Sequence, residues 1–89
     1  MTQFDKKEAA DLLRTEMDQY RHRSKAEMAI MIGETVAVER LGPSGHNYIL
    51  ELQVYWDGPS HKRVRLSGAI DDGGVHSFFP LCEDRLYEE

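Results

Sequence analysis

One stretch, Asn47 to Asp57, constrains the fold of this 89-residue chain more than any other. It reads NYILELQVYWD, with apolar side chains at the even positions and polar side chains at most of the odd positions. Because successive side chains of a strand point to opposite faces, this alternation predicts a half-buried strand. The even positions would face the core, and they are Tyr48, Leu50, Leu52, Val54 and Trp56.

The next segment, Arg63 to Asp71, repeats the alternation with the same parity. The even positions are Val64, Leu66, Gly68 and Ile70, and the polar residues at odd positions are Arg63, Arg65, Ser67 and Asp71. The connecting sequence DGPSH contains Gly and Pro, which are typical of turns. Two strands of matching parity joined by such a turn predict an antiparallel hairpin.

Two further strands are predicted on either side of this hairpin. Glu34 to Arg40 alternates around Val36 and Val38, and a turn follows at LGPSG. At the other side, Asp72-Gly73 predicts a two-residue hairpin turn, which pairs Ile70 with Val75. The pairing of Gly68 with Ser77 and of Leu66 with Phe79 follows from that turn.

This fourth strand would end at Pro80 and would place Phe78 on the outer face. A loop longer by one residue reverses the facing of its side chains. Residues 81–89 are open to two interpretations, a short last strand or a helical turn.

The N-terminal part predicts a helix from Asp5 to His22, with an apolar stripe and Thr2 as its N-cap. Ser24 and Glu27 match a capping box, which predicts a second helix ending at Gly33. The alternatives are that the first helix continues through Ser24 or that residues 29–32 begin a strand.

Together these elements predict one α+β domain spanning residues 1–89. One helix, or two, packs on one face of a four-stranded antiparallel meander sheet. The chain has no apolar run of the ~20 residues that a membrane span needs. Cys82 is the only cysteine, so no disulfide forms within the chain. We therefore expect a cytoplasmic protein that is not bound to a membrane.

The net charge of −5 is concentrated near the C-terminus. Residues 71–89 carry six acidic side chains, and Arg85 is their only basic residue. The simplest interpretation is a solvated tail that aids solubility. The alternative is a docking segment for a basic partner.

The residue patterns do not indicate catalytic chemistry, a metal site or a cofactor. The four histidines and Cys82 lack the close pairs that zinc sites use. Cys82 and His76 have no recognisable oxyanion element or third orienting group beside them. Asp71-Asp72-Gly73-Gly74 is explained by turn chemistry. We therefore expect a binding domain rather than an enzyme.

The predicted outer face of the sheet is the candidate site. A single helix layer leaves it uncovered, and apolar or aromatic side chains on it lie beside arginines, as in protein interfaces. This pattern predicts protein binding, either with a second copy as a homodimer or with another protein. The candidate contact residues are Ile49, Tyr55, Arg63, Arg65 and Phe78.

Two other functions stay open. Arg63, Arg65 and Tyr55 also suit single-stranded nucleic acid, which is bound by basic and stacking side chains. Against this, the chain is acidic, and either arginine can pair with Glu51, Gln53 or Asp57 instead. An enzyme or small-ligand site would need a pocket between helix and sheet, near Trp56, Tyr20 and Met28.

Overall fold

The computed structural model describes residues 5–73 and 80–88. The strands form a four-stranded antiparallel sheet in the order β1-β2-β3-β4, which confirms the predicted α+β meander. The elements are α1 Lys6–Asp18, α2 Lys25–Ala29, β1 Thr35–Leu41, β2 Asn47–Trp56, β3 Val64–Asp71 and β4 Leu81–Tyr87.

The predicted parity of the two central strands is confirmed. In β2 the even residues from Tyr48 to Val54 are buried and the odd residues are exposed, and in β3 every even residue is buried. The helices cover this even face, which we call the inner face. The core consists of α1 residues such as Leu13 and Met17, Met28 of α2, and the even residues of β2 and β3.

Helix α1 is shorter at each end than predicted. Asp5, not Thr2, is the N-cap, because its carboxylate accepts hydrogen bonds from the backbone N–H groups of Lys7 and Glu8 at 3.0 and 3.1 Å. Thr2 lies outside the described residues. The helix ends at Asp18 instead of His22, and turns follow it.

The second helix is confirmed, and the alternative of one continuous helix is wrong. Ser24 accepts a hydrogen bond from the N–H of Glu27 at 3.1 Å, and the Glu27 carboxylate accepts one from the N–H of Ser24 at 3.0 Å. This capping box favours a new helix start at Ser24. Helix α2 is shorter than predicted and ends at Ala29. Gly33 has a φ of +92° and leads into β1.

The strand that pairs with β3 begins later in the sequence than predicted. Ile70 pairs with Leu81, Gly68 with Glu83 and Leu66 with Arg85, so the predicted pairings with residues 75–79 are wrong. The predicted strand itself lies outside the described residues. The observed strand pairs with β3 from Ile70 to Val64, a length that the five residues before Pro80 would not provide.

Within the described part of the C-terminal acidic segment, Leu81–Tyr87 form a strand rather than a tail. Arg85 of β4 donates to Asp18 of α1 at 2.6 Å. The buried Tyr87 donates through its hydroxyl to the carbonyl of Tyr20 at 2.8 Å. These two contacts hold β4 against the end of α1.

Candidate functional site

The outer face of the sheet, opposite the helices, brings Tyr55, Arg65 and Leu86 side by side. Tyr55 lies opposite Arg65 in the β2–β3 pair, and Arg65 lies opposite Leu86 in the β3–β4 pair. Tyr55 and Leu86 each keep 41% of their surface exposed. We call these three residues the outer-face row. The sequence does not predict Leu86 as a member, because its alternation does not locate β4.

The guanidinium of Arg65 is held by two carboxylates. Its Nε and Nη2 donate to Oδ1 of Asp57 at 3.0 and 2.6 Å, and its Nη1 donates to Oδ2 of Asp84 at 2.8 Å. The hydrogen bond between Arg65 and Asp57 lowers the pKa of the Asp57 carboxyl and raises the pKa of Arg65. Charge-assisted bonds of this kind fix the plane of the side chain. Arg65 is therefore an ordered, charge-balanced member of the row.

Arg63 binds the same carboxylate from the connection that precedes β3. Its Nη2 lies 2.9 Å from Oδ2 of Asp57. The two arginines thus share Asp57, as the sequence allowed. The Arg63 side chain is more exposed than that of Arg65. It forms the border of the row rather than its centre.

Ile49 lies at the opposite end of the same face, among acidic side chains. It is opposite Glu39 of β1 and Asp71 of β3, and Glu51 follows it on β2. Residues 49 and 55 on one strand are about 20 Å apart. Within the described residues, the side chains of Glu39 and Glu51 pair with no basic group. We call this region, Glu39, Ile49, Glu51 and Asp71, the acidic end.

Two further apolar residues, Leu41 and Phe78, bear on the predicted contact face. Leu41 at the end of β1 is 69% exposed on the same face and has odd parity, which the sequence pattern could have indicated. Phe78 lies outside the described residues. The structure therefore brings Tyr55, Arg65 and Arg63 together and separates Ile49 from them.

A second polar cluster, not predicted from the sequence, joins α1 to the β1–β2 turn. The Glu8 carboxylate accepts hydrogen bonds from the hydroxyl and the N–H of Ser44 at 2.7 and 2.9 Å, and from the hydroxyl of Tyr48 at 2.8 Å. These bonds, that of the Ser44 side chain first, lower the pKa of Glu8. Burial, reinforced by the Glu8 carboxylate, raises the pKa of Tyr48 to about 12.

This cluster ties helix α1 to the β1–β2 turn and to β2. A Cβ on Gly42 would lie 2.4 Å from Oε1 of Glu8, so glycine there leaves room for the carboxylate. The acceptor capacity of Glu8 is used by its own fold, which leaves little for a substrate. Long-range contacts of this kind have no periodic signal in a sequence.

The histidines and Cys82 are dispersed. His46 lies 3.5 Å from Asp72, and the His61 ring stacks on Trp56 with the ring centroids 4.9 Å apart. Across residues 5–73 and 80–88, no three His, Cys, Asp or Glu side chains are grouped so that they could bind a metal ion. His76 lies outside the described residues.

The side chains that would line a pocket between helix and sheet pack into the core instead. Met28 is fully buried, and Tyr20 and Trp56 pack against the core. An open cleft of about 420 Å³ lies elsewhere, beside α2 and the β2–β3 connection. Its lining residues are Lys25, Ser60, Lys62, Arg63 and Glu88.

Comparisons with known proteins give no relative for this chain. No family model matches it, and no curated protein or solved structure is significantly similar to it. In the described part of the chain, none of the helices has the length and apolar character to span a membrane.

Proposed function

We propose that this chain is a non-enzymatic protein-binding domain whose outer sheet face is the contact surface. The observation that carries the proposal is the outer-face row, in which the exposed Tyr55 lies beside an immobilised Arg65. Tyr and Arg are enriched among the residues that dominate binding energy. Because Asp57 and Asp84 already hold Arg65, its order adds little entropic cost on binding.

The charges on this face favour a partner with a basic surface. Arg65 of the row and Arg63 at its border are balanced by Asp57 and Asp84, whereas the carboxylates of the acidic end form no ion pair with a basic side chain among the described residues. A basic patch on a partner would complement Glu39, Glu51 and Asp71, while an apolar pocket would take Tyr55. The alternative partner is a second copy of the chain, bound through the same face. This face has no surplus of positive charge to complement the acidic end.

A capture experiment tests this proposal. Immobilised wild-type protein is compared with Tyr55→Ala, Leu86→Ala and Ile30→Ala, with quantitative mass spectrometry of the bound proteins. Ile30 is 82% exposed at the end of α2, in the helix layer that packs on the inner face, and it serves as the control. We expect a basic protein that binds wild type and Ile30→Ala, is lost from the other two variants, and is released by salt. Identical captured proteins for all four baits would contradict the proposal.

Nucleic acid is the second candidate, and the basic cleft is the observation that favours it. Among the described residues, Lys25, Lys62 and Arg63 line this cleft together with one acidic residue, Glu88. The two lysines suit phosphates, whereas Arg63 is already paired with Asp57. The bonds that neutralise Arg65 argue against a phosphate contact at the outer-face row itself.

Fluorescence anisotropy with a labelled single-stranded oligonucleotide separates the two candidates. Under the protein-binding proposal, wild type shows no salt-sensitive binding of the oligonucleotide. Binding that weakens with salt and is reduced by Lys62→Ala would favour nucleic acid at the cleft. A loss on Arg65→Ala would instead place nucleic acid on the outer face.

A further inference from the structure

Strand β1 is an edge of the sheet, and each of its residues is at least partly exposed to solvent. Its burial alternates between exposed and half-buried, and no residue from Thr35 to Leu41 is fully buried. Val36 and Val38 are half-buried on the inner face, where the helices pack mainly over β2, β3 and β4. Among the described residues, no second strand pairs with its outward side.

The backbone of β1 presents unused hydrogen-bonding groups along this edge. Gly42 donates to the carbonyl of His46 at 2.8 Å, and the register continues this pattern, so even residues of β1 bond to β2. The N–H groups of Thr35, Ala37 and Glu39 therefore point outward, and in the described structure they have no partner. One outward carbonyl, that of Glu39, accepts from the Arg40 guanidinium at 2.9 Å.

We propose that a second copy of this chain pairs with this edge, β1 against β1 and antiparallel, across a two-fold axis at Ala37. In this register Ala37 lies opposite itself, Val36 opposite Val38, and Thr35 opposite Glu39. The outward N–H and C=O groups of the odd residues then meet each other and form the ladder. The product is a continuous eight-stranded sheet.

The side chains of β1 are complementary to themselves in this register. Glu34, the residue just before β1, would lie opposite Arg40 of the second copy, and the two-fold axis would form this pair twice. Arg40 binds Glu16 at 2.9 Å, yet its side chain is still 44% exposed. Opposite charges at facing positions stabilise an antiparallel pair, and apolar pairs such as Val36 with Val38 do the same.

The other edge strand, β4, is protected against the same pairing. Its central residues are Glu83, Asp84 and Arg85. A two-fold axis through any of these three sets two like charges opposite each other, which destabilises a strand pair. Charged side chains are a common way to block an edge. An axis through Ala37 of β1 sets no charge opposite itself, which favours β1 as the self-pairing strand.

The first test is molar mass in solution, measured by light scattering over a range of protein concentration. We expect wild type to reach twice the mass of one chain. Ala37→Pro removes the N–H at the axis. The dissociation constant of the variant dimer should therefore exceed that of the wild-type dimer about tenfold or more. Cys82→Pro is the matched control, because Cys82 occupies the same row at the opposite edge and also points its N–H outward. It should dimerise like wild type.

Amide hydrogen exchange on wild-type protein tests the same pairing without a substitution. The amides of Thr35, Ala37 and Glu39 should become protected as the concentration rises, whereas those of Cys82, Asp84 and Leu86 should not. A single-chain mass up to millimolar concentration would overturn the inference, as would unprotected β1 amides in a dimer. The inference is independent of the proposed function, because Tyr55→Ala should leave the molar mass unchanged.

Discussion

At the scale of single residues, hydrogen bonds that a charged side chain makes within its own fold decide what it can recognise. Arg65 has three nitrogens bound to Asp57 and Asp84, so under the proposed function we expect it to support Tyr55 rather than to attract phosphate. The sequence predicts the outer-face position of Arg65 and allows the pairing with Asp57. It does not predict the pairing with Asp84, because that contact depends on the location of β4.

Glu8 gives a prediction for the pH dependence of stability. Its hydrogen bonds lower its pKa in the folded state below the ordinary value of 4.5. A carboxyl with a lowered pKa stabilises the fold above its unfolded pKa, and this contribution is lost as the pH falls through the folded pKa. We therefore expect Glu8→Gln to reduce the loss of unfolding free energy between about pH 5 and pH 3.

The measurement is chemical denaturation of wild type and variant at a series of pH values. Glu51→Gln is the matched control, because Glu51 is exposed on β2 and no described residue hydrogen-bonds to its side chain. The control should keep the full acid dependence of wild type. If Glu8→Gln also keeps it, the carboxylate does not connect α1 to the turn as described.

For helices and strands, short-range sequence patterns predict elements whose signals are local, and they do not predict the pairing of distant segments. The alternation in β2 and β3 follows from the need to bury one face, and the Ser24–Glu27 box is a contact between near neighbours. Strand β4 has a weaker signal, because its inner positions include Glu83 and Arg85 as well as Leu81 and Tyr87. Its register depends on the sheet already formed, so the sequence leaves residues 81–87 open.

Gly68 lies on β3 where side chains of α1 pack against the sheet, and it gives a prediction for this packing. A Cβ at this position would lie 2.9 Å from atoms of Leu13, Leu52 and Met17, all buried. Overpacking of this kind costs about 1–3 kcal/mol, more than the about 0.4–1 kcal/mol gained by restricting the unfolded chain. Gly68→Ala should therefore lower the unfolding free energy measured by chemical denaturation.

The neighbouring substitution Ser67→Ala serves as its control, since Ser67 is on the outer face of the same strand. It should change stability much less than Gly68→Ala does. Equal stability of Gly68→Ala and wild type would mean that α1 does not press on β3 at this point.

At the scale of the whole molecule, one layer of helices on one face of a sheet leaves the other face without cover in the described structure. The sequence predicts this asymmetry, since the even positions of two strands form a single apolar surface. It does not predict how the charges divide, because Asp84 reaches Arg65 only once β4 is aligned with β3. The result is a neutral row at one end and an acidic end at the other.

Photo-crosslinking at the outer-face row would show whether this face binds a protein. A photoreactive benzoylphenylalanine replaces Tyr55 in one protein and Ile30 in another, and each is irradiated in its native cells. We predict that the photoreactive residue at position 55 forms a light-dependent adduct with another protein and that the one at position 30 forms none. No adduct from position 55, or the same adduct from both positions, would contradict the claim that this face binds a protein partner.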